Sequence, residues 1–319
     1  MENRTKFICI TPIKNESWIL EKFLTATSLW ADYIILADQR STDNSASIAA
    51  KFEKVILVKN ENDYNEFERT KILLSEARKI QGRKIIFALD ADEIFSANYM
   101  DSPEWDTIKN APEGSVLMFD RINLTPDYDR HFGSLKMSLG FVDDGVTTIE
   151  STTKAILHNI RLPWPVDAIS YYFKDIKVLH YDFVLPERTL SKLRWYQCFE
   201  RIKFNQPDLY LLKKYPFFAN IEDYLAQVKV SIVKDHWFKN YRDKNIDITS
   251  LNPPTLWWDE EVLKMIEKYG ISFFQRLDIH TVDWERLAAK KGMASPPKYR
   301  LNRSLMDKII LRYWRKFSL

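Results

Sequence analysis

FALDADE, residues 87–93, passes from a short apolar run into three carboxylates within four positions. A run of this length bounded by polar residues reads as a buried strand. Lys84 to Leu89 is therefore expected as a strand that ends in Asp90, Ala91, Asp92 and Glu93. Three similar runs precede it: KFICITP (6–12), YIILA (33–37) and VILV (55–58). Each is followed by polar residues, namely Lys14, Asn15 and Glu16, then Asp38, Gln39 and Arg40, then Lys59, Asn60 and Glu61. Helical patterns lie between the runs. Residues 17–30 carry an apolar face of Trp18, Leu20, Phe23, Leu24, Thr27 and Leu29. Ser41, Thr42 and Asp43 supply N-cap chemistry for a helix ending near Phe52, and residues 66–79 form a third helix. This alternation predicts a parallel sheet with right-handed crossovers. Ligands of such sheets bind outside the carboxyl ends of the strands, and here four strands in succession deliver charged groups to that edge.

The composition is consistent with this. A chain of 319 residues with 45% hydrophobic and 14% aromatic content can bury a large core. Only 7 glycines are present, which disfavours folds built on glycine-rich phosphate loops. Cys9 and Cys198 are too far apart in sequence to form a metal-ligand pattern, and Cys9 sits in an apolar run as a core residue. Nothing suggests a disulfide framework, a signal peptide or a membrane span, so a cytoplasmic protein is expected. The net charge of +3 is unevenly spread. Residues 286–319 hold ten Lys or Arg and one acid, or +9, which leaves −6 for the rest.

Beyond Glu93, residues 104–110 read as a short helix and 115–123 as a strand. Residues 125–164 look irregular, with a Gly-Phe-Val-Asp-Asp-Gly turn at 140–145. Residues 169–173 and 176–180 read as two further strands. Long helical patterns follow. The expected organisation is a catalytic α/β domain over 1–185 and a helical region over 186–319 that ends in a basic amphipathic tail.

Asp90 and Asp92 flank one small residue, so a tight turn lets both carboxylates approach one cation. Hard divalent ions such as Mg²⁺ or Mn²⁺ take carboxylate oxygens and share them with substrate phosphates. The triplet alone is weak. Asp127 and Asp129 form another, and acids after a strand often only cap a helix. Asp38 likewise reads as a turn former, and Arg69 as the partner of an exposed ion pair with Glu66. Their common placement at one edge sets these residues apart.

The runs TPIKNES (11–17), IILADQRSTDNS (34–45), FERTKILLSEAR (67–78) and ALDADE (88–93) together resemble glycosyltransferase family 2. The likeness covers residues 6–95 and continues more weakly to about residue 192. It implies a GT-A fold, a Rossmann-like and mostly parallel sheet flanked by helices, here with a helical C-terminal extension. It also implies inverting transfer of a sugar from a nucleoside-diphosphate sugar to an acceptor hydroxyl. By the same resemblance Pro12, Lys14 and Glu16 line the nucleotide pocket with Ala91, and Asp38 binds the base or ribose. Arg69 approaches the nucleotide or its phosphates, Asp90 faces the ribose and sugar, and Asp92 holds Mn²⁺ or Mg²⁺ with His180 as a further metal ligand or a diphosphate contact, a histidine that ends a strand being otherwise structural.

Inversion requires a general base near the acceptor oxygen. Relatives of this type carry a histidine-acid pair before a strand ending in His-Tyr. This chain has His158-Asn159 and then His180-Tyr181, and an amide cannot serve as a base. Among Asp143, Asp144, Glu150 and Asp167, the glycine-flanked pair Asp143–Asp144 is the expected source of the base, since adjacent like charges raise one pKa. A plain surface turn is the alternative. Arg188 and Lys192, four apart on a helix, are suited either to phosphate or to solvent.

Residues 303–317 (RSLMDKIILRYWRKF) form an amphipathic helix pattern with basic residues between apolar ones. It suits peripheral contact with an anionic membrane, and hence a lipid-linked saccharide acceptor, or else simple packing on the domain. A saccharide of bacterial polysaccharide or lipopolysaccharide synthesis is the expected acceptor. Two other functions compete. A nucleotidyltransferase would use similar carboxylates, but the loop at 13–16 lacks the glycines that hold a triphosphate. A nucleic-acid-binding protein would use the basic, aromatic C-terminal region, but no nucleic-acid motif is present and the acidic edge repels a phosphate backbone. A dehydrogenase is disfavoured because no G-x-G-x-x-G follows the first strand.

Overall fold

The structure, a computed structural model, describes residues 4–62, 64–149, 160–307 and 309–311. The chain divides into two compact units. One comprises Met1–Val184 with Ser231–Pro254, and the other Leu185–Val230 with Thr255–Leu319.

The first unit is built on β1 (Lys6–Ile13), β2 (Tyr33–Asp38), β3 (Val55–Lys59) and β4 (Lys84–Ala88), all parallel and ordered β3-β2-β1-β4. The connecting helices are α1 (Leu20–Thr27), α2 (Ser45–Ala49) and α3 (Glu66–Arg78), the first two shorter than their sequence patterns suggest. Alternation along the strands divides the core between two faces. Ile8, Ile10, Ile35, Ala37, Ile86 and Ala88 pack with Leu73, Leu74 and Ala77 of α3. On the other face Phe87 meets Trp30, Phe95 and Trp105 at ring separations of 5.1, 5.3 and 5.9 Å.

Beyond β4 the sheet continues through β5 (Glu93–Phe95), β6 (Val116–Leu124), β7 (Arg130–Val142) and β8 (Ser170–His180), in the order β4-β7-β6-β8-β5, with α4 (Pro103–Asn110) before β6. Here β7 is antiparallel to both β4 and β6, β5 is antiparallel to β8, and β6 is parallel to β8. The α/β fold expected from the sequence is present, with a sheet that is mixed rather than mostly parallel. The stretch expected to be irregular over residues 125–164 contains the thirteen-residue β7. The two strands expected at 169–180 are one strand, β8, whose register against β6 shifts after Phe119.

Helices α5 (Pro186–Phe204), α6 (Asp208–Lys214) and α7 (Ile221–Leu225) follow in the second unit, and a short strand, β9 (Val230–Ile232), pairs with β7. The chain then returns to the first unit through residues 231–254, although the sequence pattern groups them with the C-terminal helices. Packing explains the return. On α8 (His236–Asp243), Trp237, Phe238 and Tyr241 are buried, and the Tyr241 hydroxyl donates to Phe95 O at 2.8 Å. Asn252 N–H donates to Trp18 O at 3.0 Å. The second unit continues with α9 (Trp257–Tyr269) and α10 (Trp284–Lys291). There Arg194 on α5 forms a bidentate, buried pair with Asp259 on α9, with both contacts at 2.7 Å. No helix among the described residues is long and apolar enough to cross a membrane.

Gly140 of β7 stands where β4 and β6 flank it closely. A Cβ there would lie 2.8 Å from Phe87 Cε1 and 3.0 Å from Leu117 Cβ. Gly140→Ala is expected to cost about 1–3 kcal/mol through overpacking. The measurement is the thermal or urea midpoint, and an unchanged midpoint would contradict this packing.

Candidate functional site

The carboxyl edge of the parallel strands begins with two loops locked to each other. After β1 the backbone turns through Asn15, whose φ of +56° is left-handed, a conformation that asparagine tolerates well. Asn15 N–H donates to Ser41 Oγ at 2.9 Å, and Asn15 Oδ1 accepts from Thr42 N–H at 2.7 Å. Glu16 N–H donates to Ser45 Oγ at 2.9 Å and Ser17 N–H to Asp43 Oδ2 at 3.0 Å. The loop after β1 is thus fixed against the loop after β2. Pro12 stands beside Ala37 in register, and Lys14 is half-buried. Glu16, expected to line the pocket, accepts from the Trp18 indole at 2.6 Å. Asp38 ends β2 and accepts from Ser41 N–H through Oδ1 at 3.0 Å.

At the end of β4 the chain makes a tight turn through Asp90, Ala91 and Asp92, and enters β5 at Glu93. The turn is held by Glu93, whose side chain is fully buried. Its Oε2 accepts from Asp90 N–H at 3.0 Å and from Arg161 Nη1 at 2.5 Å, and its Oε1 accepts from Arg121 Nη1 at 3.1 Å. Burial works to raise the Glu93 pKa, but the two guanidiniums outweigh it and hold the carboxyl well below the usual range. The other amino group of Arg161 donates to Asp90 Oδ2 at 2.5 Å. Asp90 is nonetheless raised to about 6, chiefly by burial, with Glu93 and Asp92 adding repulsion that Arg161 only partly offsets.

Strand register sets a second row. Glu93 faces His180 across β5–β8, and His180 faces Asn123 across β8–β6. Arg121, two residues before Asn123, shares its face of the sheet. His180 Nδ1 lies 2.7 Å from Asn123 Oδ1, and Nε2 lies 3.8 Å from Asp92 Oδ1. A carbonyl oxygen only accepts, so this contact places the imidazole hydrogen on Nδ1. Burial lowers the His180 pKa to about 4, with Arg121 adding to the effect, so the neutral ring turns its Nε2 lone pair toward the Asp92 carboxylate. Two electron-pair donors at this separation suit a shared divalent cation. Among the described residues no group of three or more His, Cys, Asp or Glu is placed to hold a metal. An ion at Asp92 and His180 would complete its shell with water and ligand oxygens, as Mg²⁺ commonly does.

Arg69, on the first turn of α3, extends toward the same place. Its guanidinium stacks 5.5 Å from the centre of the Tyr64 ring, and its charge acts to lower the pKa of Asp90. Its buried Nε has no hydrogen-bond partner among the described residues. One edge therefore gathers Asp38, Arg69, Asp90, Asp92 and His180, with Arg121 and Arg161 behind them.

No family model and no curated protein matches the chain. Solved structures similar to part of the chain include glucosyl-3-phosphoglycerate synthase from Mycobacterium tuberculosis, in complex with Mn²⁺, UDP and glucosyl-3-phosphoglycerate. It is 18% identical over 38% of this chain and 44% of its own, with a TM-score of 0.27. S. aureus TarS is 12% identical over 70% of this chain and 46% of its own, with a TM-score of 0.41. A 4-diphosphocytidyl-2C-methyl-D-erythritol synthase is 17% identical over 36% of this chain and 60% of its own, with a TM-score of 0.27. The present chain thus spans less than two thirds of each.

Asp143 and Asp144 do not join the site. Because β7 runs antiparallel to β4, Val142 pairs with Ile85 and Asp143 N–H donates to Lys84 O at 3.1 Å. This is the amino end of β4, and the five-residue strand separates it from Asp90 by roughly 16 Å. Asp143 is buried against Arg78, which donates to Oδ1 at 2.8 Å through Nη2, while Asp144 accepts from Val146 and Thr147 N–H at 3.0 and 2.9 Å. The pair ties down a turn, and the expectation that it supplies a base in the cleft is corrected. The triplet of Asp127 and Asp129 is also structural. It closes the β6–β7 turn, where Asp127 accepts from Thr125 Oγ1 and pairs with Arg130 at 2.7 Å.

Glu150, His158 and Asn159 lie outside the described residues, as do Lys308 and residues 312–319 of the basic tail. Asp167 is exposed. Arg188 and Lys192 lie on α5 in the second unit. At the start of the tail, Arg303 is docked on Asp278 at 2.7 Å, while Leu305, Met306 and Ile309 are exposed.

Sequence reasoning missed Arg121, Asn123 and Arg161. Arg121 and Asn123 lie two apart on a strand that was expected, so their shared face was readable, but their partners were not. Asp143→Asn is expected to destabilise the chain by about 3 kcal/mol, since it leaves Arg78 facing a neutral amide. Nucleotide affinity should not change. A loss of affinity at full stability would return Asp143 to the site.

Proposed function

We propose that this chain is a metal-dependent inverting glycosyltransferase that moves a sugar from a nucleoside-diphosphate sugar to an acceptor hydroxyl. The observation that carries the reading is the Asp92–His180 pair, two buried donors 3.8 Å apart at the carboxyl edge, beside Asp90. Asp38, the loop after β1 with Pro12 and Lys14, and the turn at Ala91 would meet the base and ribose. Arg69 brings a guanidinium whose charge acts on Asp90, on the side where phosphate oxygens would lie. Arg69 and Arg161 act on the Asp90 carboxylate, and Arg121 and Arg161 on that of Glu93, so a bound divalent cation would tip the local balance toward positive charge, which suits a diphosphate.

The donor set fits Mn²⁺ or Mg²⁺ held by Asp92 and His180, with Asn123 fixing the ring orientation. When bound, such an ion stabilises the charge that builds on a departing nucleoside diphosphate. The similar mycobacterial synthase, solved with Mn²⁺ and UDP-glucose, works with this class of partners. Asp90 faces the ribose and sugar, held there by Arg161. We further propose a saccharide acceptor of polysaccharide or lipopolysaccharide synthesis, which is lipid-linked if the basic tail meets the inner face of a cytoplasmic membrane.

Thermal-shift titration with nucleoside diphosphates, with and without Mn²⁺, tests the core of this reading. A nucleotide present at a hundred times its Kd should stabilise the wild type by about 2.7 kcal/mol. The metal-dependent part should vanish in Asp92→Ala. If no nucleotide stabilises the wild type, or the metal-dependent gain survives in the variant, the reading fails. The membrane proposal is tested separately by removing residues 303–319 and measuring co-sedimentation with anionic vesicles. Binding is expected to fall, and unchanged binding would remove the tail from this role.

A further inference from the structure

We infer that Arg161 is a positioning residue that holds Asp90 for the donor, an inference that rests on the reading above. Arg161 has two distinct partners, with Nη1 on the buried carboxylate of Glu93 and Nη2 on the cleft carboxylate of Asp90, each at 2.5 Å. Glu93 already has a second guanidinium, Arg121 at 3.1 Å, and the Asp90 N–H at 3.0 Å. A purely structural partner for Glu93 has no need to reach Asp90 as well.

The local electrostatics give that reach a consequence. Asp90 stands next to Asp92 and shares its turn with Glu93, and both repel its charge. Without Arg161 its carboxylate would turn away from the other two toward water. With Arg161 it is fixed at one end of a planar fork whose other end is anchored in the core. The fork is specific to arginine, since a lysine ammonium on Glu93 cannot also span to Asp90 with two parallel donors. Arg161 comes from the segment that leads into β8, far in sequence from the Asp90 turn. The geometry therefore ties that segment to the donor site through one side chain.

The test is a double-mutant cycle in the full-length chain, with Arg161→Lys, Arg161→Gln, Asp90→Asn and the pair of Arg161→Gln with Asp90→Asn. The readouts are the Kd for UDP-glucose and for UDP in the presence of Mn²⁺, with the unfolding midpoint measured alongside. Arg161→Lys keeps a cation on Glu93 and is expected to retain the wild-type midpoint while weakening UDP-glucose about tenfold. UDP should weaken less, because Asp90 is read as facing the sugar side. In the cycle, Arg161→Gln should add little to Asp90→Asn, since both remove the same constraint. Additive losses, or equal weakening of UDP and UDP-glucose, would overturn the positioning role. So would Arg161→Lys binding UDP-glucose as tightly as the wild type. UDP and UDP-glucose are replaced by the nucleoside diphosphate and its sugar that stabilise the wild type in the thermal-shift titration, and if none does, the functional reading fails first and the inference falls with it. If the wild type binds both but the cycle is additive, only the inference fails.

Discussion

Glu93 carries a negative charge at a point with no solvent exposure, and such a charge is tolerated only when it is paired and hydrogen-bonded. Three donors meet that demand: the guanidiniums of Arg121 and Arg161 and the N–H of Asp90. Each also places something else. The N–H bond closes the turn between β4 and β5, so Asp90 and Asp92 occur in one geometry. Arg121 fixes the face of β6 that carries Asn123, and Arg161 brings its own segment against the turn. The candidate site is a set of partners arranged around one buried acid.

The mixed sheet makes this arrangement possible. A wholly parallel sheet would end every strand on the same edge and offer side-chain rows only from its last residues. Here β5 runs antiparallel to β8, which brings the first residue of β5 opposite the last residue of β8. Glu93 and His180 thereby become neighbours, and the parallel pairing of β8 with β6 adds Asn123. Register alone decides which side chains share the cleft.

This explains which parts were legible in the sequence. β1, β2 and β4 were readable because they are buried on both faces and so appear as unbroken apolar runs, while β3, at the edge of the sheet, was readable from four successive aliphatic residues although Ile56 and Leu57 are exposed. The polar residues at their carboxyl ends, including Asp38, Asp90, Asp92 and the end of α3's first turn at Arg69, followed from chain direction. β7 was not readable. Gly133, Ser134, Lys136 and Ser138 interrupt its hydrophobic pattern, and backbone pairing with β6 sustains it instead. The misreading of Asp143 has the same root. An acid after an apolar run looks alike at either end of a sheet, and only the direction of β7 separates a cleft residue from one at the far edge. Arg121 and Arg161 were hidden for a different reason. Their partner lies 28 and 68 residues away, and no local spacing encodes such contacts.

The reciprocal bonds between the loops after β1 and β2 bear on how a ligand would be received. Asn15, Glu16 and Ser17 on one side and Ser41, Thr42, Asp43 and Ser45 on the other satisfy one another's backbone and side-chain groups. Their ordering entropy is therefore spent when the chain folds, and little remains to be spent when a guest arrives. Were these loops to line the proposed site, they would receive a guest as a rigid mould whose selectivity comes from shape already set.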